Sequence, residues 1–185
     1  MFYLRMYPNP SNDPRLFLAV LPDAVTAARI YRLAKLLKRA HNFSGKLIGP
    51  DRLHVSLFFL GGLPEQMVHT LCKAADKVRV SPIEVSFDRT ASFRGRVGSR
   101  PFVLIGGDRL NQLKSFRQAL GAELGRQGLM RRAKTSFEPH ITLLYDHRGV
   151  EEYPVAEPIS WIINEFVLIH SMNGHTHLAK WPLRA

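Results

Sequence analysis

The chain has one cysteine in 185 residues, so no internal disulfide can form, and the disulfide-stapled folds of small secreted proteins are excluded. That residue, Cys72, lies in an apolar helical pattern, where a free thiol usually behaves as a small buried hydrophobe. Long apolar runs are also missing: none reaches the roughly 18 residues that a membrane-crossing helix needs. Residues 1–15, rich in Pro and Asn, hold no apolar segment of the kind a signal peptide requires. A cytoplasmic protein without membrane contact is the expectation. Acidic residues are scarce, 15 Asp and Glu against 26 Lys and Arg, and the net charge of +11 favours polyanions as partners. There is no G-x-S-x-G, G-x-G-x-x-G, G-x-x-x-x-G-K-[ST] or H-E-x-x-H, which removes the warrant for an α/β-hydrolase, a dinucleotide-binding fold, a P-loop enzyme or a zinc protease.

What is present is a globular composition, 45% hydrophobic and 22% charged, enough to build one ordinary domain. Residues 1–14, with Pro8, Pro10 and Pro14, read as an irregular lead-in, and a single domain is expected over 15–185. RLFLAVL (15–21) reads as a buried strand, and apolar residues at Ala24, Ala27, Ala28, Tyr31 and Ala34 predict a helix over 23–40. LHVSLFFL (53–60) has strand composition. Pro64 suits the first turn of a second helix, whose apolar face is Met67, Leu71, Ala75 and Val78. Residues 83–93 and 101–107 read as strands, after which Asp108 caps a helix with Leu110, Leu113, Phe116, Leu120 and Leu124 at helical spacing. Residues 140–145, 159–171 and 176–183 are strand-like, the middle run being long enough for one bent strand or two pieces. The sum is an α+β domain of seven or eight strands and three helices.

One pattern occurs twice. Leu53-His54-Val55-Ser56-Leu57 and Pro139-His140-Ile141-Thr142-Leu143 both read His, apolar, hydroxyl, apolar. On a strand the His and the hydroxyl point to one face and the apolar residues to the other. A single H-x-[ST] arises easily by chance; two on apolar strands in corresponding parts of similar halves do not. Two imidazoles can divide acid–base work, one taking a proton from a nucleophile and one giving a proton to a leaving oxygen. A phosphodiester between them would react by in-line displacement, with the Ser56 and Thr142 hydroxyls donating to its non-bridging oxygens. This scheme calls for no metal.

These motifs, with RLFLAVLPD near the start and RLHVSLFFLG and SFEPHITL around the histidines, resemble the two-histidine phosphoesterase superfamily. Within it they resemble the bacterial and archaeal 2′–5′ RNA ligase, or RNA 2′,3′-cyclic phosphodiesterase, group, from Arg15 to Leu183. The resemblance implies a bilobal α+β fold with pseudo-two-fold symmetry, two antiparallel sheets facing a central cleft and helices packed outside. It implies hydrolysis of 2′,3′-cyclic phosphates on RNA ends or nucleotides to 2′-phosphates, with 2′–5′ ligation as the reverse capacity; no cofactor and a monomeric protein are the accompanying expectations. His54 becomes the general acid, His140 the general base, and Ser56 and Thr142 the phosphate-binding hydroxyls. Members of the group often carry Arg just before and just after the second motif, where this chain has Glu138 and Leu144-Tyr145, which bears on the preferred substrate. Two other readings use the same residues: hydrolysis of a small cyclic phosphate such as ADP-ribose cyclic phosphate, and a non-catalytic module that binds RNA ends.

Lys46 and Arg52 before the first motif, Arg131, Arg132 and Lys134 before the second, and Arg94 in the Arg-rich turn with Arg96 and Arg100 are candidate RNA or phosphate contacts. Phe43, Phe93 and Phe137 near these loops are candidates for base stacking. His175 and His177, with His170 nearby, are spaced as two zinc ligands would be. No Cys or acidic partner completes them, and no metal is expected.

Overall fold

The computed structural model describes residues 15–96, 98–129, 136–171 and 174–185. β1 (Leu16–Val20) is buried along its whole length. Asp23 then caps α1 (Ala24–Ala40), its carboxylate accepting from the Thr26 N–H at 2.9 Å and the Thr26 hydroxyl at 2.7 Å, which satisfies a donor the first helical turn leaves open. β2 (Val55–Gly61), α2 (Glu65–Ala75), β3 (Ile83–Ser92) and β4 (Arg100–Ile105) follow. Pro64 takes the capping position just ahead of α2, one place earlier than its sequence context suggests. Asp108 does not cap α3 (Asn111–Arg126) directly, because a single 3-10 turn, Asp108–Leu110, intervenes. The expected apolar stripe of α3 is buried at Leu113, Phe116, Leu120 and Leu124. After β5 (His140–Asp146), the 159–171 run proves to be parts of two strands, β6 (Tyr153–Ile163) and β7 (Glu165–Ser171), broken at Asn164, and β8 (His175–Pro182) closes the chain.

The eight described strands lie in the order β6-β3-β4-β5-β2-β1-β7-β8, all neighbours antiparallel. This order divides into two halves of four, β5-β4-β3-β6 and β2-β1-β7-β8, which match strand for strand from the inside outward. The two expected antiparallel sheets are these halves, joined into one ladder where β2 meets β5 at the pair Val55↔Ile141. One face of the sheet, with Leu18, Val55, Phe87, Leu104 and Ile141, packs on helix residues such as Ile30, Leu71 and Leu120 in the main core. The opposite face carries two smaller apolar clusters, Phe17, Ala19, Val167 and Ile169 on one half and Ala91, Val103 and Ile105 with Phe93 on the other. Each comes from the same two strand positions of its half, so the pseudo-two-fold relation extends to the side chains.

Candidate active site

The halves meet at Val55 and Ile141, the middle residue of each H-x-[ST]. Carrying the antiparallel register one residue either way places His54 across from Thr142 and Ser56 across from His140, all four on the face away from the core. The two histidines occupy a diagonal of this quadrilateral, where strand geometry sets side chains roughly 7–8 Å apart. Val55 and Ile141 are fully buried behind them, so packing in the main core holds the four polar groups from the rear.

Each imidazole is locked in the same way. His54 Nδ1 lies 2.8 Å from the Arg52 carbonyl oxygen and His140 Nδ1 lies 2.8 Å from that of Glu138. A carbonyl only accepts, so Nδ1 carries the proton in both rings and Nε2 is the free nitrogen. Burial lowers the proton affinity of His54, the Arg52 carbonyl opposes this, and the positive charges of His140 and Arg52 lower it further. The two imidazoles are thus near enough to compete for protons.

Beyond the hydroxyl each motif strand carries a β-bulge. The register of β2 against β1 shifts between Ser56 and Phe58, and that of β5 against β4 between Thr142 and Leu144. Two consecutive residues therefore enter the core, Leu57 and Phe58 in one strand and Leu143 and Leu144 in the other, and the next side chain returns to the motif face. Those side chains are Phe59, 69% exposed, and Tyr145, 49% exposed. Both stand five residues after a motif histidine, a matched aromatic pair that an alternating strand pattern misses. The doubled apolar residue in Leu57-Phe58-Phe59 and Leu143-Leu144-Tyr145 is the signal that gives it away.

The bulges leave carbonyls that need donors, and each is served from outside its own ladder. Leu57 O accepts from Arg117 Nε of α3 at 2.9 Å, and Leu143 O accepts from the Ile48 N–H at 2.8 Å. The Arg117 guanidinium sits over Phe58 at 4.5 Å and over Phe137 at 4.4 Å, tying β2 to the segment that leads into His140. At the far end of β5 the buried Asp146 accepts from the Ser44 and Gly45 N–H groups, both at 2.7 Å. Burial alone would raise the Asp146 pKa, but these bonds, with those from Arg148 N–H and the Ser44 hydroxyl, bring it down to about 2.

The remaining candidates divide. Lys46, Arg52 and Arg94 are exposed; Arg131, Arg132 and Lys134 lie outside the described residues. Arg94 and Arg100 line an open pocket of about 570 Å³ with Phe93, Gly95, Gly149 and Glu151. Phe43 is no stacking platform: it is buried against Phe102, ring centroids 4.9 Å apart. Phe137 is engaged by Arg117, and Phe93 meets the His140 ring edge-on at 5.0 Å. His41 Nε2 lies 2.7 Å from the Tyr153 hydroxyl. Among the described residues, no three His, Cys, Asp or Glu side chains converge as a metal site would need, and no helix is long and apolar enough to cross a membrane.

A sheet of two matched halves, each bringing one H-x-[ST] strand to the junction, is the architecture of the two-histidine phosphoesterases. The family model of the 2′-5′ RNA ligase superfamily matches residues 21–175, and the chain belongs to that superfamily. It is 29% identical, over 130 residues and 70% of each chain, to an RNA 2′,3′-cyclic phosphodiesterase of Archaeoglobus fulgidus. Among solved structures, apo E. coli LigT superposes with a TM-score of 0.74 at 27% identity, covering 95% of this chain and 100% of that one. LigT complexed with 3′-AMP gives 0.71 at 25%, covering 94% and 99%. A Thermus thermophilus protein at 22% identity, TM-score 0.72, shares the fold, covering 92% and 98%.

Proposed function

We propose that the protein opens 2′,3′-cyclic phosphates on RNA ends or nucleotides, leaving 2′-phosphates, and that it does so without a metal ion. The observation that carries this reading is the quadrilateral at Val55↔Ile141, with both imidazoles locked through Nδ1 and both Nε2 atoms free. Water attacks phosphorus while His140 Nε2 takes its proton. The P–O3′ bond breaks, and His54 Nε2–H protonates the departing O3′, so a 3′-hydroxyl and a 2′-phosphate result. Ser56 and Thr142 hydroxyls donate to the non-bridging oxygens, where charge builds in the transition state. With an RNA 5′-hydroxyl in place of water, the same displacement makes a 2′–5′ phosphodiester. In the free protein burial favours neutral His54; an anionic phosphodiester beside it raises its proton affinity, so substrate binding charges the acid. Phe59 and Tyr145 flank the site as surfaces for a base or ribose, and Lys46, Arg52 and Arg94 meet the rest of an RNA strand. The names of the relatives, an RNA 2′,3′-cyclic phosphodiesterase and a LigT complexed with 3′-AMP, support the substrate class.

The test is incubation of purified protein, in buffer containing a chelator, with 2′,3′-cyclic mononucleotides and with RNA ending in a cyclic phosphate, the products being assigned as 2′- or 3′-phosphates by NMR and mass. Conversion to 2′-phosphates by the wild type, and none by His54→Ala or His140→Ala, is the expected result. Products ending in 3′-phosphate, or no turnover of either substrate, overturn the reading.

A further inference from the structure

His54 does not stand alone on its half of the sheet. Its ring lies 4.9 Å from that of Phe17 and 5.1 Å from that of His175, while Phe17 and His175 are themselves 5.5 Å apart, edge to face. Three aromatic rings from β1, the lead-in to β2, and β8 thus close a triangle. The register places this on the motif face: Phe17 pairs with Phe59, Ala19 with Ser56, and Ser171 with His175. His140 has no such neighbour from an outer strand among the described ring contacts; Phe93 alone meets it.

His175 is a costly choice for filling space. Its Nδ1 is enclosed and has no hydrogen-bond partner among the described residues, a loss that a phenylalanine in the same place would not incur. A buried polar atom left unpaired asks for a reason beyond packing. Metal binding does not supply one here, since no three ligands converge among the described residues. The ring contact with His54 does.

We infer that His175 is a positioning residue for His54: with Phe17 it fixes the plane of the His54 imidazole and keeps water from one side of it, while Nε2 stays free for the phosphate. Nδ1 of His54 is tied to the Arg52 carbonyl by one bond, which sets a direction but leaves the ring free to tilt about it; two ring contacts remove that freedom. His175 can do this without adding charge. Burial, then the positive charges of His54, Arg52 and His177, with Asp51 opposing, push its pKa down to about 4, so at neutral pH it is an uncharged ring. Its effect on the proton affinity of His54 is therefore exclusion of water. The charged groups acting on His54, His140 and Arg52, stay in place when His175 is changed. The proton affinity of His177 is lowered too, by partial burial and by Lys180, with Glu165 opposing.

The inference rests on the proposed part of His54 in the reaction, and the test separates the two. The His54 ring signal is followed by NMR against pH in the free protein and identified by its loss in His54→Gln. In the wild type it is expected to titrate below the ordinary 6.5, because burial disfavours the charged ring. His175→Ala is expected to raise that midpoint by about half a unit or more toward the ordinary value, because water then reaches the ring. His175→Phe, which keeps a ring and removes the unpaired nitrogen, is expected to leave it within about 0.2 units. The limb of kcat/KM that reports His54 should move with the NMR midpoint in His175→Ala and stay in His175→Phe. An unchanged His54 midpoint in His175→Ala, or equal displacement in both variants, overturns the inference; should His175→Ala not fold, His175→Leu takes its place under the same criterion. Because the titration uses no substrate, failure to turn over cyclic phosphates would overturn the proposed reaction and leave this reading standing.

Discussion

The half of the molecule built around His54 and the half built around His140 repeat one another in detail. Each has an Nδ1 tied to the carbonyl two residues back, a hydroxyl two residues on, a bulge after that, and an exposed aromatic five residues on. They differ in what surrounds the imidazole. His54 is wedged between Phe17 and His175, whereas His140 meets Phe93. Matched strands deliver two imidazoles to one point, and unmatched neighbours give them unlike environments. Unlike environments are what decide which of two such groups gives the proton and which takes it.

The heaviest test of the likeness is removal of each imidazole. His54→Ala and His140→Ala should each lower kcat by about a hundredfold or more, the scale on which a general acid or base contributes, with the circular dichroism spectrum unchanged because both side chains stand on the motif face. If one variant, folded, keeps near-normal turnover, the halves are alike in shape only and the two-imidazole scheme fails.

The hydroxyls come next. Thr142→Val keeps the shape and removes the donor, and should cost roughly ten- to a thousandfold in kcat/KM, about 1.4–4 kcal/mol of transition-state stabilisation. Thr142→Ser should remain active. Ser56→Ala should resemble Thr142→Val if the quadrilateral is symmetric in use as well as in form; Ser56 is exposed while Thr142 is partly covered, and a much smaller loss at Ser56 would show that the phosphate leans on the His140 half.

How far the chain discloses this arrangement depends on the range of the signal. The helices follow local spacing, and the doubled H-x-[ST] is readable because His, hydroxyl and core residue alternate within one strand. The bulges hide Phe59 and Tyr145, since an extra core residue breaks the period on which the alternation rests. The three-ring cluster is less legible still: Phe17, His54 and His175 come from distant parts of the chain, and only the pairing of β1 with β2 and β7, and of β7 with β8, brings them together. His175 and His177 read as half a zinc site because spacing within one strand is visible and the neighbouring strand is not. Arg117 gave no signal, being one of many basic residues until α3 is packed against the Leu57 bulge.

The pH dependence sharpens the comparison further. Burial lowers the proton affinity of His54 in the free protein, yet the proposed acid must be protonated when the substrate is bound. The limb attributed to His54 should therefore lie below 6.5 in kcat/KM, which reports the free enzyme, and higher in kcat, which reports the complex. Superimposable profiles would mean that the substrate does not charge His54, and the base would then be His54 and the acid His140. Stability carries the same asymmetry. A histidine whose folded pKa is depressed contributes stability that is present above its unfolded value and lost as pH falls. With His175 at about 4 against 6.5, thermal unfolding should shift downward as pH drops through that window, and less so in His175→Phe.

The smallest effects concern the strand beyond the reacting phosphate. Arg52 lies two residues before His54, Lys46 lies on the stretch whose Gly45 and Ile48 N–H groups bond to Asp146 and Leu143 of β5, and Arg94 shares a pocket with Arg100. An exposed cation on RNA acts through counterion release, so each contact removed should lessen the slope of log affinity against log salt by about 0.7 and weaken binding only a few-fold at moderate ionic strength. Arg94→Gln and Lys46→Gln should both do this on an oligonucleotide ending in a cyclic phosphate and leave hydrolysis of a cyclic mononucleotide unchanged, since that substrate offers one phosphate and the motif residues already hold it. Comparing the two variants then tells which way the RNA strand leaves the site. A slope that changes for Arg94→Gln and not for Lys46→Gln routes the strand past Phe93 and the Arg94 pocket. The opposite result routes it along the loop before β2. If neither slope changes, or if mononucleotide turnover falls with either substitution, the exposed basic residues are not the RNA track proposed for them, and the net charge of +11 acts as a general attraction without a fixed path.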